Sequence, residues 1–140
     1  MLASTKARLD AVADIDKVGT AISLAAALDR KPGRAVEAFV VPISERPGDS
    51  RRVTGLALQE VQVTVGVVIA IRALNDPDGE RGHDRLESVR DAVRDELLGW
   101  TPNGATVPYL VGNSDLVKMA PGALWWLDRY LTKTQRKQRG

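Results

Sequence analysis

The chain has 140 residues, of which 44% are hydrophobic and 27% charged, and a net charge of only +2; this is the make-up of one ordinary globular domain with a single core, and the charge alone does not mark a nucleic-acid binder. It has no cysteine, which excludes disulfides and thiolate zinc sites and suits a reducing compartment. Lys6, Arg8 and Asp10 break any signal-peptide pattern, and no run approaches the ~20 apolar residues of a membrane span, so a protein made and used inside a cell, away from membranes, is expected.

Ser4 is a candidate cap for a short helix reaching about Ala13, with Leu9, Val12 and Ala13 facing inward. A second short helix is predicted over Ile22–Leu28, ending before Pro32-Gly33. Neither is long enough to stand alone. Ala35 to Ile43 reads as a strand, with Phe39, Val41 and Ile43 on one face and Val36, Ala38 and Val40 on the other. Apolar residues on both faces imply cover on both, and Pro42 implies an edge position or an approaching end.

Ser44 to Gly55 is polar, rich in turn formers and too long for a tight hairpin, so a mobile arm is expected, as long loops in compact domains are often functional or disordered. Arg46, Arg51 and Arg52 make the stretch from Ile43 to Leu58 a candidate interaction arm; a solvated loop that needs charge for solubility is the equal alternative.

The strongest single element is Val61 to Arg72. Val61, Val63, Val65, Val67, Ile69 and Ile71 recur at a period of two, all β-branched, while Gln62, Thr64, Gly66, Val68, Ala70 and Arg72 fall on the second face. A strand of about a dozen residues spans roughly 40 Å, more than a small domain encloses. Either its end projects in a hairpin arm or its second face lies against another copy. Gln62, Thr64 and Arg72 are therefore candidate sheet-face or subunit contacts.

Asn75-Asp76-Pro77-Asp78-Gly79 is a strong turn. Asp84 and Glu87 have capping-box spacing, and Leu86, Val89, Val93 and Leu97 follow at helical spacing until Gly99 stops the main helix. Its outer face reads as solvated, with weak pairs Glu87–Arg90 and Asp91–Arg94. Val107 to Met119 and Ala123 to Thr132 are predicted strands around Pro121-Gly122. The architecture expected is α+β in two layers, a mainly antiparallel or mixed four-stranded sheet with the main helix and the short N-terminal helices on one face. One domain spans 1–132, and 133–140 is a basic, flexible tail. So few helices cannot cover both faces, so the second face needs a partner; Trp125 and Trp126 are candidate contacts, with core packing expected for at least one because strand neighbours point opposite ways.

No catalytic, cofactor or metal site is expected. His83 at the helix start has no G-x-S-x-G elbow to serve. If Gly79 is set at the sixth position of a calcium loop, Leu74 and Arg85 fall at its first and twelfth, which cannot ligate. No glycine-rich phosphate loop occurs, and no aromatics interleave with the basic residues.

The order of helix, Ala35-Val36-Glu37-Ala38-Phe39-Val40-Val41-Pro42, polar loop, Gln59 to Arg72, acidic turn, helix closing in Leu97-Leu98-Gly99-Trp100-Thr101-Pro102, and strand pair with Gly122-Ala123-Leu124-Trp125-Trp126 resembles the tail terminator proteins of long-tailed phages, prophages and gene transfer agents. The resemblance covers nearly the whole chain, and Leu98-Gly99-Trp100-Thr101-Pro102 is its most distinctive part. It implies a structural virion protein rather than an enzyme, placed at the head-proximal end of the tail after assembly in the host cytoplasm. The family implies a ring, usually of six subunits, that halts tube polymerisation and accepts the DNA-filled head. Its partners would be further copies of itself, the tail tube protein and a neck or head-completion protein, with nonspecific proximity to DNA in the lumen. The rival readings are another neck component and, more remotely, a small-molecule-binding or enzymatic domain.

Overall fold

Residues 1–53, 55–72 and 80–139 are described by the computed structural model, by the backbone alone for residues 51–53 and 80. The elements in chain order are α1 (Leu2–Leu9), β1 (Lys17–Thr20), α2 (Leu24–Leu28), β2 (Val36–Val53), β3 (Leu56–Arg72), α3 (Glu80–Leu97), β4 (Leu110–Ala120) and β5 (Ala123–Lys137). The turn expected at 75–79 lies outside the described residues.

The strands form one mixed sheet in the order β1-β2-β3-β5-β4, with β1 parallel to β2 and the other pairs antiparallel. It has five strands rather than the expected four. The additional strand is β1, whose four residues Lys17-Val18-Gly19-Thr20 are too short and too mixed to show a period. Asp16 starts it by exchanging bonds with Val36: its backbone N–H donates to the Val36 carbonyl, and its carboxylate accepts from the Val36 N–H, both at 2.9 Å.

The largest departure from expectation is at Ser44–Gly55, which is a hairpin and no loop. β2 continues to Val53 and pairs with β3 through Val53↔Leu56, and the connection ends in Gly55 at φ +84°, a conformation open to glycine without strain. The polar sequence conceals it because the side chains of Ser44 to Ser50 are exposed on both faces of the strand, which erases the apolar alternation. Bulges between Pro42 and Ser44 and between Pro47 and Ser50 absorb the two prolines. The tail expected to be flexible is likewise strand through Lys137, paired as far as Leu58↔Lys137. The arm is thus three-stranded, and β3, at 17 residues, reaches ~55 Å.

Both faces of the sheet are covered. On one, Val61, Val63, Val65, Val67, Ile69 and Ile71 pack under Leu9 of α1 and Leu86, Val89, Val93 and Leu97 of α3. On the other, Phe39, Val41, Val68, Ala70, Trp125 and Leu127 pack with Ala27 of α2 and with Ala21. The short helices therefore divide between the faces instead of sharing one, and the chain itself shelters the central apolar residues of the second face. Five-residue α2 is held by its Ser23 cap, which accepts from the Ala26 N–H at 3.1 Å.

Ser4 does not cap α1: the N-cap is Met1, and the Ser4 hydroxyl donates to the Met1 carbonyl and accepts from the Asn103 N–H. Ala13 is exposed. Asp84 likewise lies within α3, which begins at Glu80. Asp91 and Arg94 form the expected pair at 3.2 Å, whereas Arg90 turns inward to Asp128.

Candidate functional site

The distinctive segment after α3 is a latch. Gly99, at φ +83°, ends α3 and turns the chain so that its N–H donates to the Tyr109 carbonyl, while the Tyr109 N–H donates to the Trp100 carbonyl. The Tyr109 and Thr5 hydroxyls share a hydrogen bond of 2.8 Å, and Tyr109 meets Tyr130 edge-on with ring centroids 5.8 Å apart. Arg8 lies over Trp100 at 5.1 Å. Thr5, Tyr109 and Tyr130 are buried, and burial raises the phenol pKa of both tyrosines, at Tyr130 with help from the negative charge of Asp128. The latch joins α1, α3 and β5 without offering a reactive group.

A second polar cluster fixes α3 to the sheet. Asp128, 4% exposed, accepts from Arg90, from the Ser114 hydroxyl at 2.6 Å and from the Trp126 indole N–H at 3.0 Å, while Arg90 lies 4.6 Å from the Trp126 ring. Sequence reasoning missed this acid. The one available signal was its place as a charge on the face that also carries Leu124, Trp126 and Tyr130.

Of the candidate contacts, Trp125 is buried under the Lys118 ammonium at 4.7 Å, and Trp126 is occupied by Arg90. Both rings thus pack within the chain, Trp125 buried and Trp126 half-buried. Arg46, Gln62 and Thr64 are brought together on one face of the arm, through Arg46↔Gln62 and Ser44↔Thr64. Arg72 is at the far end of β3, donating to the Gly33 carbonyl at 3.3 Å. The side chains of Arg51 and Arg52 lie outside the described residues.

What the monomer leaves open is at its periphery. β4 is an edge strand and presents Leu110, Val111, Leu116 and Met119, the last 70% exposed. At the base of the arm, a groove of about 350 Å³ lies between α1 and the hairpin, lined mainly by Met1, Leu2, Pro42, Ile43, Val63 and Val65. Among the described residues, no His, Asp or Glu side chains converge as a metal site and no helix is long and apolar enough to cross a membrane.

A mixed α+β sheet with a long projecting arm and exposed apolar groups along its edge strand has the surfaces of a protein that contacts other chains. The family model for phage tail terminator protein matches residues 2–140, and the chain belongs to that family, whose members are structural virion proteins of the tail. A search among curated proteins finds no match. Among solved structures, the fold is similar to a chain in the virion of a native gene transfer agent particle, at a TM-score of 0.59 and 14% identity, over 97% of this chain and 95% of that one.

Proposed function

We propose that copies of this chain close into a ring, six in number as the family resemblance implies, on the head-facing end of the tail tube. There the ring stops tube growth and presents the surface to which a neck or head-completion protein joins. The observation that carries this reading is the pair of apolar surfaces toward opposite edges of the sheet, the β4 strip at one edge and the groove beside β2 near the other. Two different patches on opposite flanks suit a head-to-tail contact, and such a contact closes into a ring when its rotation divides a full turn. Side-chain packing rather than a continuous ladder would make the joint, because Pro42, Pro47 and the bulges blunt the outer edge of β2. The arm then reaches to the tube or across to the next subunit. Termination is a binding event in which no bond is made or broken.

Adding the purified protein to polymerising tube subunits tests the reading. A terminator shortens the tubes in proportion to its amount; folded protein in excess that leaves tube length unchanged sinks the assignment. In particles lacking the protein, overlong tails support a terminator, and tails of normal length without heads point to a neck component instead.

A further inference from the structure

We infer that the arm's face on the α2 side of the sheet binds the phosphate backbone of double-stranded DNA. Strand register sets its described cations in two cross-strand rows: Arg46↔Gln62↔Lys133, and Leu58↔Lys137. The rows are four residues apart along β3 and thus separated by roughly 13 Å. Arg46, Lys133 and Lys137 are exposed. Among the described residues, neither Arg46 nor Lys137 has an ion-pair partner, and Lys133 meets Glu60 at 3.3 Å. Glu60 is the acid within this pattern; Asp49 falls in the bulge between Pro47 and Ser50. Four residues inward along β5, Arg129 is neutralised by Asp115 at 2.6 Å, so the free positive charge begins where the arm leaves the body.

The opposite face of the arm differs. There Arg136 is held by Glu45 at 2.6 Å, beside Thr132 and Thr134. Among the described side chains, the arm's cations without an acidic partner therefore lie on one face, a segregation that net charge +2 conceals.

The chemistry of the face selects duplex phosphate. It is a flat strand surface without an aromatic ring, so it lacks the stacking platform that single strands use. Gln62 and Gln135 on the same face add amide donors suited to phosphate oxygens. An acidic peptide added as an extra strand would need the outer edge of β2, which Pro47 and the bulges interrupt. Binding of this kind is independent of sequence and steep in salt. It does not depend on ring closure.

Fluorescence anisotropy of a labelled duplex between about 50 and 200 mM salt reads the interaction. Substituting Arg46→Gln, Lys133→Gln and Lys137→Gln together should weaken binding and flatten the log–log salt slope by roughly 2–3, at about 0.9 for each phosphate no longer neutralised. The charge-matched set Lys17→Gln, Lys31→Gln and Arg34→Gln, remote from the arm, should leave both nearly unchanged. Glu60→Gln should tighten binding severalfold, a gain that a misfolded protein cannot give. The inference is overturned if the intact protein does not bind duplex at low salt, or if the remote set matters as much as the arm set. It is also overturned if polyglutamate displaces the duplex at equal charge concentration, which would mark the face as a site for an acidic protein.

Discussion

Arg90 on α3 grips Asp128 on β5 through a forked set of hydrogen bonds, Nε to both carboxylate oxygens at 3.1 Å and Nη2 to Oδ1 at 3.0 Å. With the Trp126 ring beneath the guanidinium, this is the one charged tie between the main helix and the sheet, among the described residues. Planar bidentate geometry is what arginine supplies and lysine does not. The Asp128 side chain is 5% exposed and that of Arg90 23%, so removing the acid strands a cation that only partly reaches water. Asp128→Ala should lower stability by about 3 kcal/mol, read as a fall in the urea midpoint. Asp128→Asn, which keeps the shape and loses the charge, should cost less. Arg90→Met combined with Asp128→Leu should be non-additive by at least about 1 kcal/mol relative to the single changes.

This tie also shows where the sequence is legible and where it is not. Val61 to Ile71 and Leu86-Val89-Val93-Leu97 announce their inner faces because burial repeats at the period of the element. Arg90 sits between those helix positions, in a run of alternating charge, and nothing local reveals that its partner is 38 residues away. The arm is hidden for a related reason. Ser44 to Val53 and Lys133 to Lys137 are strand because their backbones pair, and the side chains of Ser44 to Ser50, all exposed, carry no alternation. Trp125 and Trp126 do point opposite ways, as strand neighbours must, but ring size alone does not reveal that Lys118 lies against one and Arg90 against the other. Of the candidate contacts, only the arm set Arg46, Gln62 and Thr64 converges on one face.

Tyr109 and Tyr130 make stability sensitive to alkali. Burial raises both phenol pKa values above the ordinary 10.0, so above about pH 10 the unfolded chain releases protons that the folded chain retains. Their contribution is fully present below that pH and declines as the pH rises toward the folded values, by up to about 1.4 kcal/mol per pH unit for each tyrosine. Tyr130→Phe removes one of the two titrations and should make the loss above pH 10 shallower while leaving stability at neutral pH little changed. Tyr109→Phe also breaks the bond to Thr5 and should lower stability at neutral pH too. Thermal melts at neutral and alkaline pH separate the two.

Gly66 marks a close approach at the root of the arm. A Cβ built there would meet the Leu127 Cδ1 at 2.8 Å and the Ile43 Cγ1 and Cδ1 at 2.9 Å, so these side chains interlock over a bare backbone. Gly66→Ala should destabilise by about 1–2 kcal/mol through overpacking. Ile43→Ala in the same chain opens the space and should recover part of that loss, so the two changes should not add in denaturant melts. Equal and additive costs would mean that the contact yields without strain.

The exposed β4 strip separates assembly from folding. Leu116 and Met119 are 47% and 70% exposed, and their cross-strand partners Trp126 and Leu124 put them on the α3 side of the sheet, beyond the helix. Replacing both with glutamate removes little buried area from the single chain, so the monomer's denaturant midpoint should correspond to a change within about 0.5 kcal/mol. At a joint between copies, the same two carboxylates would be desolvated against apolar groups, a far larger penalty. The doubly substituted protein should therefore sediment as a monomer where the parent sediments as a closed oligomer, and should fail to shorten growing tubes. A parent that oligomerises through some other surface would leave the substituted protein's sedimentation unchanged, and the β4 strip would then have no part in the ring.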